Sequence, residues 1–306
     1  MRKFRKYQMQ EQMKFAAAIL FLLIFLPVLG GMLLTGAGKM HLSSEVSAES
    51  VLPMLLYREL PGKCEYQLAC AQAVLVRSRV FTAQEKEEKK LAEYYRENLI
   101  YEREKKIDGK KLLLCQRAIK ETENCMLSVG GKVVEGPYCR ASNGWTRNGK
   151  EVFSGDDMGW LVGVESTPDL DFAGDRAPVS YTGEELCSLL EKIKDTENIT
   201  WDLPGSDTIL DQITVEASDS SGYVTQVQIQ EHQLPGEIFR SALNLPSTSF
   251  TLHKEGDRLY FYCRGLGHGM GLSQYGGNQL ARDGKNWRKI LNYYFPNAQV
   301  INKKQK

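Results

Sequence analysis

The stretch GLGHGMGLSQYGG at residues 265–277 places a glycine at every second position around one histidine and then continues into Ser-Gln-Tyr. If the stretch is extended, the four glycines from 265 to 271 share one face, because successive side chains of a strand point to opposite faces. His268 then lies on the other face. Glycine costs backbone entropy in a regular element. The pattern therefore predicts a surface of bare backbone next to a single histidine.

The N-terminal region differs from the rest of the chain in charge. Residues 1–14 contain five cationic side chains and one acidic one. The 306-residue chain as a whole has a net charge of +1, and this near-neutral charge does not favour nucleic acid as a partner. Residues 15–35 are 21 residues without a charge, about the length that crosses a ~30 Å hydrocarbon core. We predict a basic cytoplasmic tail followed by a transmembrane signal anchor.

A cleaved signal peptide is the alternative for residues 15–35, but no Ala-x-Ala cleavage site follows the apolar run. With a retained anchor, the basic flank stays in the cytoplasm and the rest of the chain is exported. The cytoplasmic membrane is then a partner, and the protein is a single-pass protein of the cell membrane with its C-terminal domain outside the cytoplasm.

Residues 36–50 are small and polar and are predicted to be a linker, and residues 51–300 to be the folded domain. The apolar periodicities predict a mixed α+β fold, as one domain or as two lobes, exported behind the transmembrane helix. Helices are predicted at 65–81, 182–193 and 287–294, a charged helical insertion at about 84–111, and strands at 125–134 (a hairpin), 213–217, 223–229 and 259–262.

The chain has seven cysteines, an odd number, and contains no C-x-x-C. Most of them lie in apolar stretches, where cysteine packs as a small hydrophobic residue. Because their number is odd, at least one thiol is free or intermolecular, and we assign no disulfide pairs, no metal site and no cofactor. One histidine and one serine, His268 and Ser273, five residues apart, do not define a serine hydrolase.

Four blocks of sequence, taken in order, are more specific than any single motif. Together they resemble the stage II sporulation protein D family, which includes peptidoglycan lytic transglycosylases and an amidase enhancer. The blocks are RELPGKCEYQLACAQAVLVRSR at 58–79, AIKETENCMLSVGGKVVEGPYCRASNGWT at 118–146, VEASDSSGYVTQVQI with FRSALNLPSTSF at 215–250, and the opening stretch with a trailing W-x-x-I-L-x-Y-Y at 287–294.

The resemblance implies a membrane-anchored cell-wall protein of sporulation that acts on the glycan strands of peptidoglycan, with a cell-wall amidase or another sporulation protein as a further partner. A lytic transglycosylase needs one carboxylic acid, which protonates the leaving oxygen and then accepts the proton of the 6-hydroxyl group, whereas hydrolases normally use two carboxylates. No cofactor is implied.

The glutamate expected from the family pattern falls on Gln67 when residues are counted without a gap from Glu59. A carboxamide cannot donate a proton in this chemistry. Glu65 is the nearest replacement if the helix begins there. The sequence therefore predicts impaired catalysis. The alternatives are an active transglycosylase that uses Glu65, a non-catalytic glycan-binding protein that recruits or enhances an amidase or hydrolase, and a purely structural protein.

The remaining positions that match the family are predicted to bind the glycan, because Gln, Asn, Ser and Thr hydrogen-bond sugar hydroxyl and N-acetyl groups. Their alternative roles are structural: Ser273 and Thr146 as helix caps, and Arg77 as an ion-pair partner of Glu59. Cys139 stands where the family more often has histidine. The predicted substrate-binding set is Gln72, Arg77, Cys139, Ser142, Asn143, Thr146, His268, Ser273 and Gln274.

Overall fold

Helix α2 (Tyr66–Glu85) is the centre of the helical part of the fold. It buries every residue from Leu68 to Ser78, as expected for a helix that is enclosed on all sides. The elements packed around it are helix α1 (Ala48–Glu59), helix α4 (Gly109–Glu121), strand β1 (Cys125–Val129) and helix α10 (Trp287–Tyr294). The helix predicted at 65–81 is confirmed.

The computed structural model describes residues 47–153, 158–173, 177–197 and 202–303, and Ser47–Lys306 is one structural unit. Within these ranges the fold is the predicted mixture of α and β. No helix in them is both long enough and apolar enough to cross a membrane. The predicted anchor at 15–35 and most of the predicted linker lie outside the described residues. The seven cysteines are described, and no disulfide joins them.

Two boundaries differ from the prediction. Helix α1 begins at Ala48, inside the predicted linker, because the Ser47 hydroxyl oxygen accepts a hydrogen bond from Ser50 N–H at 3.3 Å and caps it. The predicted insertion at 84–111 contains the end of α2, helix α3 (Leu91–Glu104) and the start of α4. Helix α3 buries only Tyr94 and Asn98, which agrees with a solvated helix at the periphery.

The helical part also contains the predicted hairpin and several short elements. In the hairpin, β1 pairs antiparallel with β2 (Lys132–Val133), and Gly130 and Gly131 both have positive φ, 58° and 82°, as a tight hairpin turn requires. The other elements are β3 (Tyr138–Cys139), α5 (Gly149–Val152), a 3-10 helix (Thr167–Ala173), β10 (Leu272–Ser273), α9 (Gln274–Arg282) and β11 (Gln299–Asn302), and the first sheet has the order β11-β1-β2.

Residues 179–263 form a β-rich part with its own hydrophobic cluster, in which Phe239, Phe250 and Phe261 stack on one another. The predicted capping box is confirmed, since Thr182 N–H donates to Glu185 and Glu185 N–H donates to Thr182. The elements are β4 (Val179–Thr182), α6 (Gly183–Glu197), α7 (Ile209–Gln212), β5 (Ile213–Ser218), β6 (Val224–Ile229), β7 (His232–Pro235), α8 (Gly236–Ala242), β8 (Phe250–Glu255) and β9 (Arg258–Cys263), in antiparallel sheets of order β4-β9-β8 and β5-β6-β7.

The glycine run, residues 265–271, is not extended, which was the condition for its glycines to share one face. All four of its glycines have positive φ, between 67° and 102°, a conformation that side chains with a Cβ avoid. The glycines face protein and not an open surface: a Cβ on Gly269 would overlap the Tyr223 ring, and a Cβ on Gly271 would overlap the Pro137 carbonyl. Bare backbone is needed because the run packs directly against residues 137–142 and the Tyr223 ring.

Candidate functional site

A cleft of about 300 Å³ opens where the end of α2, strand β3 and the glycine run meet. Helix α2 supplies Arg79 and Leu75, the segment before β3 supplies Glu135, and the glycine run supplies His268. The full lining is Leu75, Arg79, Glu135, Gly136, Pro137, Tyr138 and His268. Of the predicted site residues, His268 is the only one in this lining.

Glu59, the last residue of α1, places its carboxylate beside the cleft. One carboxylate oxygen forms an ion pair with the Arg79 guanidinium, and the side chain is 15% exposed. The other oxygen, Oε2, is buried and has no hydrogen-bond partner among the described residues. Burial of a carboxylate oxygen without a donor is unfavourable, so this atom has an unused capacity to accept a hydrogen bond.

The hydroxyl group of Tyr138 lies close to this carboxylate. Burial raises the pKa of Tyr138, and the negative charge of Glu59 raises it further. The phenol therefore stays protonated and can donate a hydrogen bond at any physiological pH. The site therefore combines a carboxylate paired with Arg79 and a neighbouring protonated phenol.

His268 is a neutral imidazole at this site. Its Nδ1 accepts a hydrogen bond from Met270 N–H at 3.1 Å, which leaves the proton on Nε2. Burial lowers the pKa of His268; the carboxylate of Glu237 opposes this effect, and the guanidinium groups of Arg240 and Arg147 add to it. The imidazole can therefore act as a hydrogen-bond donor without carrying a charge.

Gln72 and Gln274 lie behind Glu59 and not in the cleft. Gln274 Nε2 donates to the Glu59 carbonyl at 3.0 Å and lies 3.5 Å from Gln72 Oε1. Arg140 donates to Gln274 Oε1 at 3.2 Å. Both glutamines are almost completely buried, so the two predicted binding residues support the backbone of Glu59.

A buried carboxylate that the sequence did not reveal, Asp169, holds two of the predicted binding residues. Asp169 Oδ2 accepts hydrogen bonds from Ser142 N–H at 2.8 Å and from the Ser142 hydroxyl, and Oδ1 accepts one from the Ser273 hydroxyl at 2.7 Å. Burial raises the pKa of Asp169, and these hydrogen bonds oppose the effect. Asp169 lies outside the four resembling blocks, so no sequence signal marked it.

Ser273 also caps α9, as its structural alternative predicted, because its hydroxyl oxygen accepts a hydrogen bond from Gly276 N–H at 3.2 Å. Thr146 Oγ1 accepts one from Val164 N–H at 2.9 Å, within a loop and not at a helix end. The side chains of Ser273 and Thr146 are both buried.

Asn143 and Cys139 are likewise turned into the fold. Asn143 Nδ2 donates to the Ser221 carbonyl at 2.8 Å and to the Ser249 hydroxyl at 2.9 Å, which ties the loop to the β-rich part. Cys139 is buried, and burial raises the pKa of its thiol. The structure places these two side chains inside the wall that supports the cleft.

Arg77 is fully buried, which leaves no surface for the predicted contact with substrate. Its guanidinium pairs with Glu49 at 2.6 Å and donates to the Ile119 and Thr122 carbonyls at 2.9 and 2.8 Å, which satisfies the carboxyl end of α4. The expected pairing of Arg77 with Glu59 is wrong, since Arg79 occupies that place.

The two predicted catalytic positions lie at the opposite end of α2. Gln67 Oε1 accepts a hydrogen bond from Trp287 N–H at 2.9 Å and so caps α10. Glu65 is exposed and pairs with Arg282 at 3.3 Å. Gln67 is twelve residues before Arg79, about 18 Å along an α-helix. The structure therefore separates both residues from the cleft, and it places a different glutamate, Glu59, beside it.

The fold and cleft define an α+β protein with a polar site beside a partly buried carboxylate, and the comparisons show which known proteins it is similar to. The chain is 28% identical over 190 residues to stage II sporulation protein D of Bacillus subtilis, covering 62% of this chain and 52% of the relative. It is 26% identical over 183 residues to that of Bacillus amyloliquefaciens, covering 60% and 49%.

A third relative, the amidase enhancer of Bacillus subtilis, is 21% identical over 230 residues, which covers 60% of this chain and 32% of the relative. No protein-family model matches the chain. These similarities confirm the resemblance of the chain to the stage II sporulation protein D family. It spans about half the length of the stage II sporulation protein D relatives that it matches.

Proposed function

We propose that this protein is a cell-wall protein of sporulation that binds and cleaves the glycan strands of peptidoglycan in the cleft beside Glu59. The observation that carries the proposal is the Glu59 carboxylate, which is 15% exposed and has one oxygen paired with Arg79 and the other without a donor in the described part of the chain. The family relationship supports the cell-wall setting.

In this proposal the chemistry needs only one carboxyl group. Protonated Glu59 gives its proton to the glycosidic oxygen while the bond between this oxygen and C1 breaks. The 6-hydroxyl oxygen of the same sugar bonds to C1, and the Glu59 carboxylate takes the hydroxyl proton, which regenerates the acid. No water or co-reactant is consumed. Tyr138 and His268 are the donors for sugar hydroxyl and N-acetyl groups at the cleft.

The second candidate is a non-catalytic protein that binds strands and enhances an amidase. The similarity to a protein named amidase enhancer favours it. In either case we propose that residues 15–35 anchor the chain in the cytoplasmic membrane and that the folded domain lies outside the cytoplasm, which the uncharged length of this segment supports.

The test is to incubate the protein with denuded glycan strands and to measure 1,6-anhydro products by mass spectrometry. We expect Glu59→Gln to lower product formation by roughly 100-fold or more, the usual effect of removing a general acid. Glu65→Gln is the matched control, because Glu65 is exposed and pairs with Arg282, and it is expected to cleave like the wild type.

Loss of activity in Glu65→Gln with full activity in Glu59→Gln would refute the assignment of the acid. A wild-type protein that binds strands but forms no anhydro product would favour the amidase-enhancing role. A protein that neither binds nor cleaves strands would refute both functions.

A further inference from the structure

A cluster of exposed side chains lies outside the cleft, on the loop that follows Ser142. Trp145 is 51% exposed, Leu170 is 50% exposed and Tyr293 is 44% exposed. Large apolar side chains in contact with solvent are common singly, but adjacent ones usually mark a binding surface. We call Trp145, Glu165, Leu170 and Tyr293 the aromatic platform.

Backbone geometry shows that the platform residues are neighbours. Trp145 and Glu165 form an antiparallel bridge, with hydrogen bonds on both sides of the pair, from Thr146 N–H to Val164 O and from Ser166 N–H to Gly144 O. Paired residues in this arrangement project their side chains to the same face, about 5 Å apart at Cβ. Trp145 and Glu165 therefore present a ring next to a carboxylate.

Tyr293 approaches the same pair from the other side. The carbonyl of Glu165 points away from Trp145 and accepts a hydrogen bond from the Tyr293 hydroxyl at 2.8 Å. The Glu165 carboxylate is fixed by the Thr167 hydroxyl at 2.8 Å. Leu170 lies against Gly144, the residue before Trp145, since its Cδ2 is 2.8 Å from where a Cβ on Gly144 would stand.

We propose that the aromatic platform is a second contact for the glycan strand, separate from the cleft. A sugar ring has an apolar face of C–H groups and a rim of hydroxyl groups, which match an exposed ring bordered by a fixed carboxylate. The platform has only three exposed apolar side chains, whereas a stable protein interface uses about 20–30 residues on each partner. These features favour a sugar over a protein as its occupant.

The platform is also close to the cleft along the chain. Arg147, two residues after Trp145, donates its N–H to the Gly269 carbonyl at 2.9 Å, and Gly269 follows His268. Two residues of extended chain span about 7 Å, so a polymer that occupies the cleft has further sugars within reach of the platform. This inference rests on the proposed function, because it concerns the same polymer.

The test is the affinity of the full protein for denuded strands of alternating N-acetylglucosamine and N-acetylmuramic acid, measured by calorimetry. We expect Trp145→Ala and Tyr293→Ala each to weaken binding by about tenfold, the effect of losing one aromatic contact. Trp145→Tyr keeps a ring and should retain most of the affinity. The matched control is Tyr262→Ala, which removes another exposed aromatic ring, 47% exposed on β9, and should bind like the wild type.

Thermal unfolding of each variant checks that the fold is intact. If strands bind to the wild type and to Trp145→Ala equally well, the platform is not a glycan contact, while the proposed function stands. The platform is also refuted if Tyr262→Ala weakens binding as much as Trp145→Ala. If the wild type binds no strands, the proposed function fails and the platform fails with it.

Discussion

His268 accepts a backbone hydrogen bond that only its neutral form can accept, since Met270 N–H donates to Nδ1. Because burial lowers the pKa of folded His268 below its ordinary value of 6.5, the unfolded chain binds this proton more readily than the folded chain. Stability is therefore full above about pH 6.5 and falls as the pH decreases from 6.5 towards the folded pKa, below which the loss is constant.

We predict that His268→Gln removes this part of the pH dependence, because an amide oxygen can accept the Met270 hydrogen bond without titrating. The measurement is the free energy of unfolding by denaturant between pH 5 and 8. The His268 contribution to the slope stays below about 1.4 kcal/mol per pH unit, the limit for one proton. His253→Gln, at an exposed position of β8, is the control; identical slopes in wild type and His268→Gln would contradict the prediction.

Also at the scale of residues, the sequence predicted which residues belong to the site, but it could not predict where their side chains point. The sequence identified Ser142, Ser273 and Gln274 as important, and the structure gives each of them a buried hydrogen-bond partner inside the protein. A polar residue in a motif can bind a ligand or hold the loop that does so, and the motif alone does not separate the two. Both serines hydrogen-bond Asp169, so both hold the loop and do not face a ligand. Asp169 itself lies in a segment without a motif.

At the scale of elements, the glycine run shows the cost of packing two backbones together. We predict that Gly269→Ala destabilises the fold by about 3 kcal/mol, since it adds left-handed strain of about 1–2 kcal/mol to an overlap with the Tyr223 ring. Gly284→Ala is the matched control: its φ is +79° and no described residue lies within 4 Å of where its Cβ would stand, so it carries the strain without the overlap. Denaturant unfolding measures both, and equal losses would contradict the packing argument.

Most elements could be predicted from the sequence because their signals are local. The capping box at Thr182 and the apolar stripe of α10 are each complete within a few residues. The conformation of the glycine run could not be predicted, because an alternating pattern has the same period as a strand whether or not the glycines take positive φ. What decides its conformation is the approach of residues 137–142, which are more than a hundred positions earlier in the chain.

At the scale of the whole molecule, the two ends of helix α2 contact different parts of the fold. Its beginning holds α10 through Gln67, and its end reaches the cleft through Leu75 and Arg79. The sequence could place Gln67 on this helix, but it could not show which end faces the cleft. That depends on where α1 ends, because Glu59 approaches α2 at Arg79.

We therefore predict that Gln67→Glu changes the release of 1,6-anhydro products from glycan strands by less than twofold, because its side chain is about 18 Å along the helix from Arg79. A glutamate there still accepts the Trp287 N–H bond and places a negative charge at the start of α10, so the free energy of unfolding should be unchanged or higher by about 0.3–1 kcal/mol. Product release is measured by mass spectrometry beside Glu59→Gln, and stability by denaturant unfolding. A gain of cleavage in Gln67→Glu would move the acid to the beginning of α2 and would overturn the assignment of the cleft.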